Sequence, residues 1–206
     1  MTGGLQGPGP LDRPQPTGRR NSQGIRVDPD AEADPETRRA VLSALVEHEP
    51  GVLAEVSGLF SRRQFNIESL TVGPTENDNR ARITLVFEEP EPGLEQAKKQ
   101  LEKLLPVVSV TELPDDATRR ELALIKVSAT RPDEVSALAS MYDAQAVDAG
   151  RETITVEVTG SKQKIDAAVE AFDRFGTHEI VRTGIAALSR GAEYTATTPD
   201  GAPADD

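Results

Sequence analysis

The alternation of apolar and polar positions is clearest between residues 38 and 114, where it predicts strands and helices in turn. One run of apolar residues has the length of a strand and comprises Val41, Leu42, Leu45 and Val46. Further apolar residues recur at helical spacing and share one helix face: Val52, Leu53, Val56, Leu59 and Phe60. Pro50 suits the first turn of this helix, because its fixed φ is close to the helical value. Asn66 and Ile67 open the next strand.

The same alternation continues to residue 114. Ile83, Leu85 and Phe87 alternate with more polar neighbours, which is typical of a half-buried strand. A second helix face is marked by Leu94, Ala97, Leu101, Leu104 and Leu105, and Pro106 ends it. Valines at 107, 108 and 110 make a last strand. The predicted order is βαββαβ, a four-stranded antiparallel sheet with both helices on one face.

A polar break at residues 114–117 precedes a second unit with the same predicted order. Its strands are marked by alternating apolar residues at 123–129 and at 154–158, and its last strand is expected at 180–181 and 185–188. Its two helix faces are Val135, Leu138, Ala139 and Tyr142, and then Ile165, Ala168, Val169, Phe172 and Phe175. The sequence therefore predicts an α+β fold with two tandem ferredoxin-like (βαββαβ) domains, at 38–114 and 118–191. Residues 1–37 and 192–206 are rich in Gly, Pro, Ala and Asp, and are expected to be disordered tails.

Gly51 and Asn66 stand at the two ends of the first predicted helix and are candidates for ligand binding. Gly51 has no Cβ, so another group can approach its backbone, and the first N–H groups of a helix accept a carboxylate or phosphate. Asn66 offers both a donor and an acceptor. If the following strand returned beside the first, both residues would face one small zwitterion. Spacing alone equally allows a plain helix-starting turn at Pro50–Gly51 and a strand entry at Asn66.

The charge balance narrows the class of partner. The chain has 35 acidic and 23 basic residues, so its net charge of −12 repels nucleic acid and anionic lipid. It has no cysteine, which excludes disulfides, zinc–thiolate sites and thiol nucleophiles. No apolar run approaches the ~20 residues of a membrane span, and the N-terminus lacks the apolar core of a secretory signal. We expect a cytoplasmic protein that binds neither nucleic acid nor membrane.

The acidic residues are combined with few lysines, which make up only 6 of the 23 basic residues. An acidic, lysine-poor surface stays hydrated in strong salt, where screening removes its self-repulsion. This composition suggests a halophilic source, although an ordinary acidic protein has the same features. Thermal unfolding from low to multimolar KCl tests the hypothesis, which fails if salt brings no gain in stability.

The residue types do not supply a catalytic set. Neither His48 nor His178 lies in a pattern that suggests a nucleophile–base–carboxylate triad, and His178 is expected in a surface loop. His48 stands between Glu47 and Glu49, but nothing nearby completes a metal coordination sphere. We therefore predict no catalytic residues, no metal site and no cofactor in this chain. A ligand-binding geometry without a catalytic set is typical of a sensor.

Two stretches resemble a known family. Residues 47–75, EHEPGVLAEVSGLFSRRQFNIESLTVGPT, look like the N-terminal ACT domain of the regulatory (small) subunit of acetolactate synthase. Residues 182–191, RTGIAALSRG, resemble the run near that family's C-terminus. The resemblance implies that the first ferredoxin-like domain is an ACT domain. It also implies a role in branched-chain amino acid biosynthesis, in which the chain activates a catalytic subunit and transmits feedback inhibition.

The resemblance also implies where the effector binds. In the family, ACT domains of two subunits pair edge to edge, and the end product, typically valine, binds in the seam. By position, the effector-binding residues here are His48, Pro50, Gly51, Val52, Leu53, Asn66 and Ile67. The expected partners are a second copy of this chain and the catalytic (large) subunit, which in the family uses thiamine diphosphate, Mg²⁺ and FAD.

One residue departs from the family pattern, and three other functions stay open. The family commonly has Asn where this chain has His48, and imidazole titrates near neutrality, so either inhibition depends on pH or the ammonium is held elsewhere. The alternatives are a stand-alone amino-acid sensor, an acylphosphatase-like hydrolase using Arg62 and Asn66, and a structural partner without effector. The first lacks a basic DNA-binding helix, the second lacks an anion-cradling loop, and titration with branched-chain amino acids tests the third.

Overall fold

The computed structural model describes residues 37–192, 194 and 195. The first domain runs in the order β1 (Thr37–Glu47), α1 (Val52–Arg63), β2 (Ile67–Pro74), β3 (Arg80–Pro90), α2 (Glu91–Leu101) and β4 (Val107–Glu112). Its strands lie side by side in the order β2-β3-β1-β4, and each neighbouring pair is antiparallel. The predicted βαββαβ sheet is confirmed for this domain.

The second domain repeats this arrangement. It consists of β5 (Thr118–Ser128), α3 (Pro132–Met141), β6 (Gln145–Ala149), β7 (Thr153–Gly160), α4 (Lys162–Asp173) and β8 (Thr177–Arg182). The strand order is β6-β7-β5-β8, which is equivalent to that of the first sheet. The α+β fold with tandem ferredoxin-like domains is therefore confirmed.

Each domain has its own apolar core between its sheet and its two helices. In the first core, alternate residues of β1 and β3 pack against α1 and α2. The rings of Phe60 and Phe87 meet edge to face, with 5.3 Å between their centroids. In the second core, Ile125 and Val156 pack with Phe172 of α4. The alternation in the sequence produces these cores because every second residue of a strand points to the same face.

The opposite face of the first sheet is covered by a segment from the C-terminal end of the chain. After β8, the short strand β9 (Ala186–Leu188) pairs with the beginning of β5. Ile185 and Ala187 of this segment are buried against Val41 and Val86 on the helix-free face of the first sheet. The last strand was predicted as one unit, which is wrong, because Gly184 has a φ of +81° and separates β8 from β9.

Three other predictions of local structure need correction. Helix α2 ends at Leu101, so Leu104 and Leu105 follow it in a turn, and Leu105 is 99% exposed. Pro50 precedes α1 rather than lying in its first turn, since Gly51 is the N-cap. His178 lies within β8 as an exposed strand residue and not in a loop.

The two predicted tails fall largely on residues 1–36, 193 and 196–206, which lie outside the described part of the chain. The remaining positions of the predicted tails, residues 37, 192, 194 and 195, lie within the described part of the chain. Thr37 is the first residue of β1. Thr195 is buried, and its hydroxyl accepts a hydrogen bond from the Ser189 N–H at 2.8 Å.

Candidate functional site

The beginning of α1 is open and uncapped. Gly51 has a left-handed φ of +96°, and no side chain from residues 37–192 forms a capping hydrogen bond at the helix N-terminus. No atom lies within 4 Å of the position that a Cβ at Gly51 would occupy. Val52 is buried in the first core, whereas Leu53, predicted on the same face, is 44% exposed. This end of α1 therefore presents free backbone donors beside an exposed apolar side chain, which suits a carboxylate with an aliphatic tail.

His48 forms one side of this opening. Its backbone N–H donates to the carbonyl of Asn79 at 2.9 Å, and its Nδ1 lies 3.3 Å from the carbonyl oxygen of Asp78. These contacts hold the residues after β1 against the turn between β2 and β3. His48 and Pro50 are both exposed, so their side chains are accessible from solvent.

Asn66 lies at the other end of α1, and Ile67 begins β2. A helix of 12 residues is about 18 Å long, so Asn66 and Gly51 are well separated within one chain. Strand β2 pairs with β3, and β3 lies between β2 and β1. The strand after the helix therefore does not lie beside the first strand, which was the condition for Gly51 and Asn66 to face one ligand. One chain alone does not bring Gly51 and Asn66 to the same ligand.

A charged cluster lies where the two domains meet, and sequence reasoning did not identify it. In this cluster Arg39 of β1 donates to Glu68 of β2 at 2.6 Å, and Lys162 of α4 lies 3.8 Å from Glu68. Lys162 also donates to Asp166 at 2.8 Å. Arg39, Glu68 and Lys162 line a cavity of about 410 Å³ together with Arg182.

Arg182 joins the cluster to the second sheet. It donates two hydrogen bonds to the buried carboxylate of Glu121, at 2.7 and 2.8 Å, and one to Asp166 at 2.8 Å. The hydrogen bond from Lys162, aided by that from Arg182, lowers the pKa of Asp166. The carboxylate of Glu121, together with Asp166, raises the pKa of Arg182. The charges in this cluster alternate in sign, and the contact between Lys162 and Glu68 runs from one domain to the other.

The residues between Arg182 and Ala186 contact both sheets. The Ile185 N–H donates to the hydroxyl of Ser69 at 2.9 Å, and Thr71 donates to the carbonyl of Thr183 at 3.4 Å. The Thr183 N–H in turn donates to the Leu122 carbonyl of β5, and the Leu122 N–H donates to the Thr183 hydroxyl. The only signal for this contact in the sequence was the second stretch of resemblance, residues 182–191.

The described part of the chain shows no cluster of His, Cys, Asp and Glu that could hold a metal ion. Within the same residues, no helix has the length and apolarity to cross a membrane. A larger cavity of about 670 Å³ lies on the helix-free face of the first sheet, between β2, β3 and the residues around β9. Arg82, Arg120 and several threonines line it. Of the predicted residues, His48 and residues 50–53 lie at or beside the uncapped beginning of α1, whereas Asn66 and Ile67 follow its other end.

Comparison with known proteins gives a consistent result for both domains. A family described as the small subunit of acetolactate synthase matches residues 120–191, and one described as the AHAS small subunit-like ACT domain matches residues 42–109. A probable acetolactate synthase small subunit of Methanothermobacter thermautotrophicus is 45% identical over 165 residues, 78% of this chain and 97% of the relative. The acetolactate synthase small subunit of Mycobacterium leprae is 49% identical over 154 residues, 73% of this chain and 90% of the relative.

A solved structure agrees with these relatives. The crystal structure of the acetolactate synthase small subunit from Thermotoga maritima superposes with a TM-score of 0.71 and is 35% identical. The match covers 76% of this chain and 99% of the Thermotoga chain. The arrangement of both domains is thus similar in the two proteins.

Proposed function

Because the chain belongs to the acetolactate synthase small-subunit family, we propose that it activates the catalytic subunit of this enzyme and makes it sensitive to valine. The proposed setting is branched-chain amino acid biosynthesis in the cytoplasm. The chain contributes no catalytic residue. Its catalytic partner would supply the chemistry, using thiamine diphosphate, Mg²⁺ and FAD.

The observation that carries this proposal is the uncapped beginning of α1. A helix N-terminus with free N–H groups and partial positive charge favours a carboxylate. Gly51 adds no side chain that would obstruct it, and Leu53 offers an exposed apolar surface for a branched aliphatic group. The polar and apolar parts of valine therefore each meet a suitable group, through residues 50–53.

Pairing of two chains along β2 explains how Asn66 and Ile67 join the site. Strand β2 is an edge strand of the first sheet, so its outer hydrogen-bonding groups have no partner strand among the described residues. Pro74, at the end of β2, pairs with Ala81, and Glu47, at the end of β1, pairs with Arg80. The end of β2 therefore lies at the same end of the sheet as Gly51.

A twofold axis through β2 then brings the two halves of the site together. In an antiparallel β2–β2 pair, the beginning of one strand lies beside the end of the other. Asn66 of one chain would thus lie near His48 and Gly51 of the second copy. The effector would sit in the seam and contact both chains, so its binding would depend on the dimer.

Inhibition at a distance requires that valine bind two states of the complex unequally. A difference of ~1–3 kcal/mol changes the affinity about 5- to 150-fold, which is sufficient for feedback control. A seam between subunits is suited to this task, because a small shift there moves whole domains.

The direct test is reconstitution of the chain with its catalytic subunit, measuring acetolactate formation with and without valine. We expect the chain to raise the rate and valine to lower it again. An unchanged rate on adding the folded chain would contradict the regulatory role. If isothermal titration shows no binding of valine, leucine or isoleucine, the chain would be a structural partner that binds none of these effectors.

Replacement of Gly51 by valine tests the location of the site. A β-branched residue at this left-handed φ is strained and occupies the open space, so we expect the valine concentration for half-inhibition to rise by about tenfold or more. Gly176→Val is a matched control, because Gly176 also has a positive φ, +79°, and nothing within 4 Å of its Cβ position. Equal effects of the two substitutions would point to backbone strain alone.

A further inference from the structure

The residues that join the two domains are held by the strand that would form the effector seam. Strand β2 presents Ser69 and Thr71 on the helix-free face of the first sheet, opposite Val86 and Thr84 of β3. Both hydroxyls contact residues 183–185, which we call the Gly184 bridge. The same strand thus has one edge toward the proposed seam and one face toward the second domain.

Gly184 fits this contact because it has no side chain. A Cβ at this position would lie 2.6 Å from the Ser69 hydroxyl, 3.0 Å from the Thr71 hydroxyl and 3.5 Å from the carbonyl oxygen of Leu70. The φ of Gly184, +81°, also disfavours any residue with a Cβ. Two independent constraints, space and backbone conformation, therefore require glycine where β2 and the bridge meet.

The other side of the bridge is fixed to the second domain. The Thr183 N–H donates to the Leu122 carbonyl at 3.0 Å, and the Leu122 N–H donates to the Thr183 hydroxyl at 3.1 Å. Ile185 is buried beneath the first sheet against Val41 and Val86. A displacement of β2 is therefore passed to β5, the central strand of the second sheet, through three consecutive residues.

A second contact runs from β2 to the second domain beside the bridge. Glu68 accepts a hydrogen bond from Arg39 and lies 3.8 Å from Lys162 at the beginning of α4. Glu68, Ser69 and Thr71 are all within the first five residues of β2, close to Asn66. The end of β2 that would meet the effector is thus the end that contacts the second domain.

We propose that Gly184 is a positioning residue for feedback inhibition, and that the Gly184 bridge carries the response to the effector from β2 to the second domain. This inference rests on the proposed function, since it requires an effector in the β2 seam. It goes further in assigning the transmission of the signal to particular residues, which do not touch the effector.

The test uses the full chain bound to its catalytic subunit, with Gly184→Ala as the variant and valine as the probe. Three quantities are measured: valine binding by isothermal titration, inhibition at saturating valine, and amide hydrogen exchange of β5 and β8 with and without valine. We expect wild type to show a valine-dependent change of exchange in both domains. In Gly184→Ala, valine should still bind, but the valine-dependent change of amide exchange in β5 and β8 should disappear. Maximal inhibition should fall by about half or more.

Two further variants separate transmission from loss of stability. Gly176→Ala introduces the same left-handed strain in the second domain without a close contact, and it should be inhibited like wild type. Ser69→Ala removes the atom closest to the new methyl group, so Gly184→Ala/Ser69→Ala should recover part of the inhibition lost in Gly184→Ala. If Gly184→Ala fails to fold, Ser69→Ala is tested in its place. This substitution removes the acceptor of the Ile185 N–H and should cause a smaller loss of inhibition.

Each outcome has a distinct meaning. If wild type binds valine and is inhibited, but Gly184→Ala and Ser69→Ala respond like wild type, the bridge does not transmit the signal and the proposed function stands. If amide exchange in β5 and β8 of Gly184→Ala is faster than in wild type by the same amount with and without valine, and inhibition is unchanged, the bridge is only structural. If wild type neither binds valine nor is inhibited, the proposed function fails and this inference fails with it.

Discussion

The two domains have equivalent strand orders and the same helix arrangement, yet they differ at the beginning of their first helix. In the first domain this position is Gly51, open and uncapped. In the second domain Arg131 is the N-cap and Pro132 begins α3. The Arg131 guanidinium donates to Glu134 at 3.1 Å and to the carbonyl of Arg174 at 2.8 Å. Among the described residues neither helix has a side-chain cap, but the residue before the helix is a bare backbone with positive φ at Gly51 in the first domain and carries a long charged side chain at Arg131 in the second.

The domains also differ in the polar groups that they bury. In the first domain the buried polar side chains are neutral, Ser43 and Thr84. In the second, Glu121 is 5% exposed and is paired with Arg182, which also contacts Asp166. The comparison teaches that the first domain buries neutral polar side chains, whereas the second buries a carboxylate that is held by an arginine of the same domain.

The largest effect that this comparison predicts is on the buried charge pair of the second domain. In Glu121→Gln an amide replaces one oxygen beside the guanidinium of Arg182, which loses its buried counter-charge and keeps only the more exposed Asp166 among its described partners. Loss of one partner of a fully buried pair costs about 3–5 kcal/mol; since Arg182 is partly exposed, we expect about 2–3 kcal/mol in the free energy of unfolding. Urea unfolding followed by far-UV circular dichroism measures it.

The matched substitution in the first domain is Ser43→Ala. It removes the buried hydroxyl that accepts a hydrogen bond from Arg82 at 3.0 Å, so we expect a loss of about 1 kcal/mol. Arg82 retains access to solvent. If both variants lost the same stability, the difference in polar burial between the domains would have no energetic meaning.

An effect on association, not on unfolding, is predicted for the two edge strands. Val72 of β2 and Val147 of β6 are similarly exposed, at 44% and 52%. If only β2 pairs with a second chain, Val72→Lys places a charge at the seam and raises the dimer dissociation constant by about tenfold or more, whereas Val147→Lys does not. Sedimentation velocity over a range of protein concentrations compares the two. Weaker association of Val147→Lys alone would assign the dimer to β6.

The sequence predicted the strands and helices whose apolar residues repeat regularly. The alternation along β3, β5 and β7 predicted one buried face for each of these strands, whereas β1 was predicted from a continuous apolar run. Leu104 and Leu105 were misassigned to α2, since apolar spacing alone does not show that the chain turns after Leu101. The helix end is set there by local turns, in which the Leu104 N–H donates to the Leu101 carbonyl at 3.0 Å.

The contacts between the domains were beyond prediction for a different reason. Ser69, Thr71 and Gly184 are distant in sequence, and small polar residues on an edge strand have the same pattern whether they face solvent or another segment. Gly184 lies in the second stretch that resembles the family, residues 182–191. Only its positive φ and its close approach to Ser69 explain why this position requires glycine. In the same way, the separation of Gly51 and Asn66 follows from the strand order, which local spacing does not determine.

The smallest predicted effect is the pH dependence contributed by Asp166. The hydrogen bonds from Lys162 and Arg182 lower its pKa in the folded state below the ordinary carboxyl value. The unfolded state therefore binds more protons as the pH falls, so the contribution is present above the unfolded pKa, near 4, and is lost as the pH falls through the folded pKa. Asp166→Asn should remove this acid-dependent part, which is no more than about 1 kcal/mol because the side chain is 44% exposed.

The matched carboxylate in the first domain is Glu91, whose pKa is also lowered by its hydrogen bond from Arg38. Glu91 is a surface residue of α2 paired with one arginine, whereas Asp166 shares Arg182 with the buried Glu121. Salt screens exposed ion pairs most. In 0.5 M KCl the difference in unfolding midpoint between wild type and Glu91→Gln should therefore disappear, whereas part of the difference between wild type and Asp166→Asn should remain. Unfolding midpoints between pH 3 and 7 at both salt concentrations measure this. Equal screening of the two would mean that the charge cluster between the domains behaves as an ordinary surface pair.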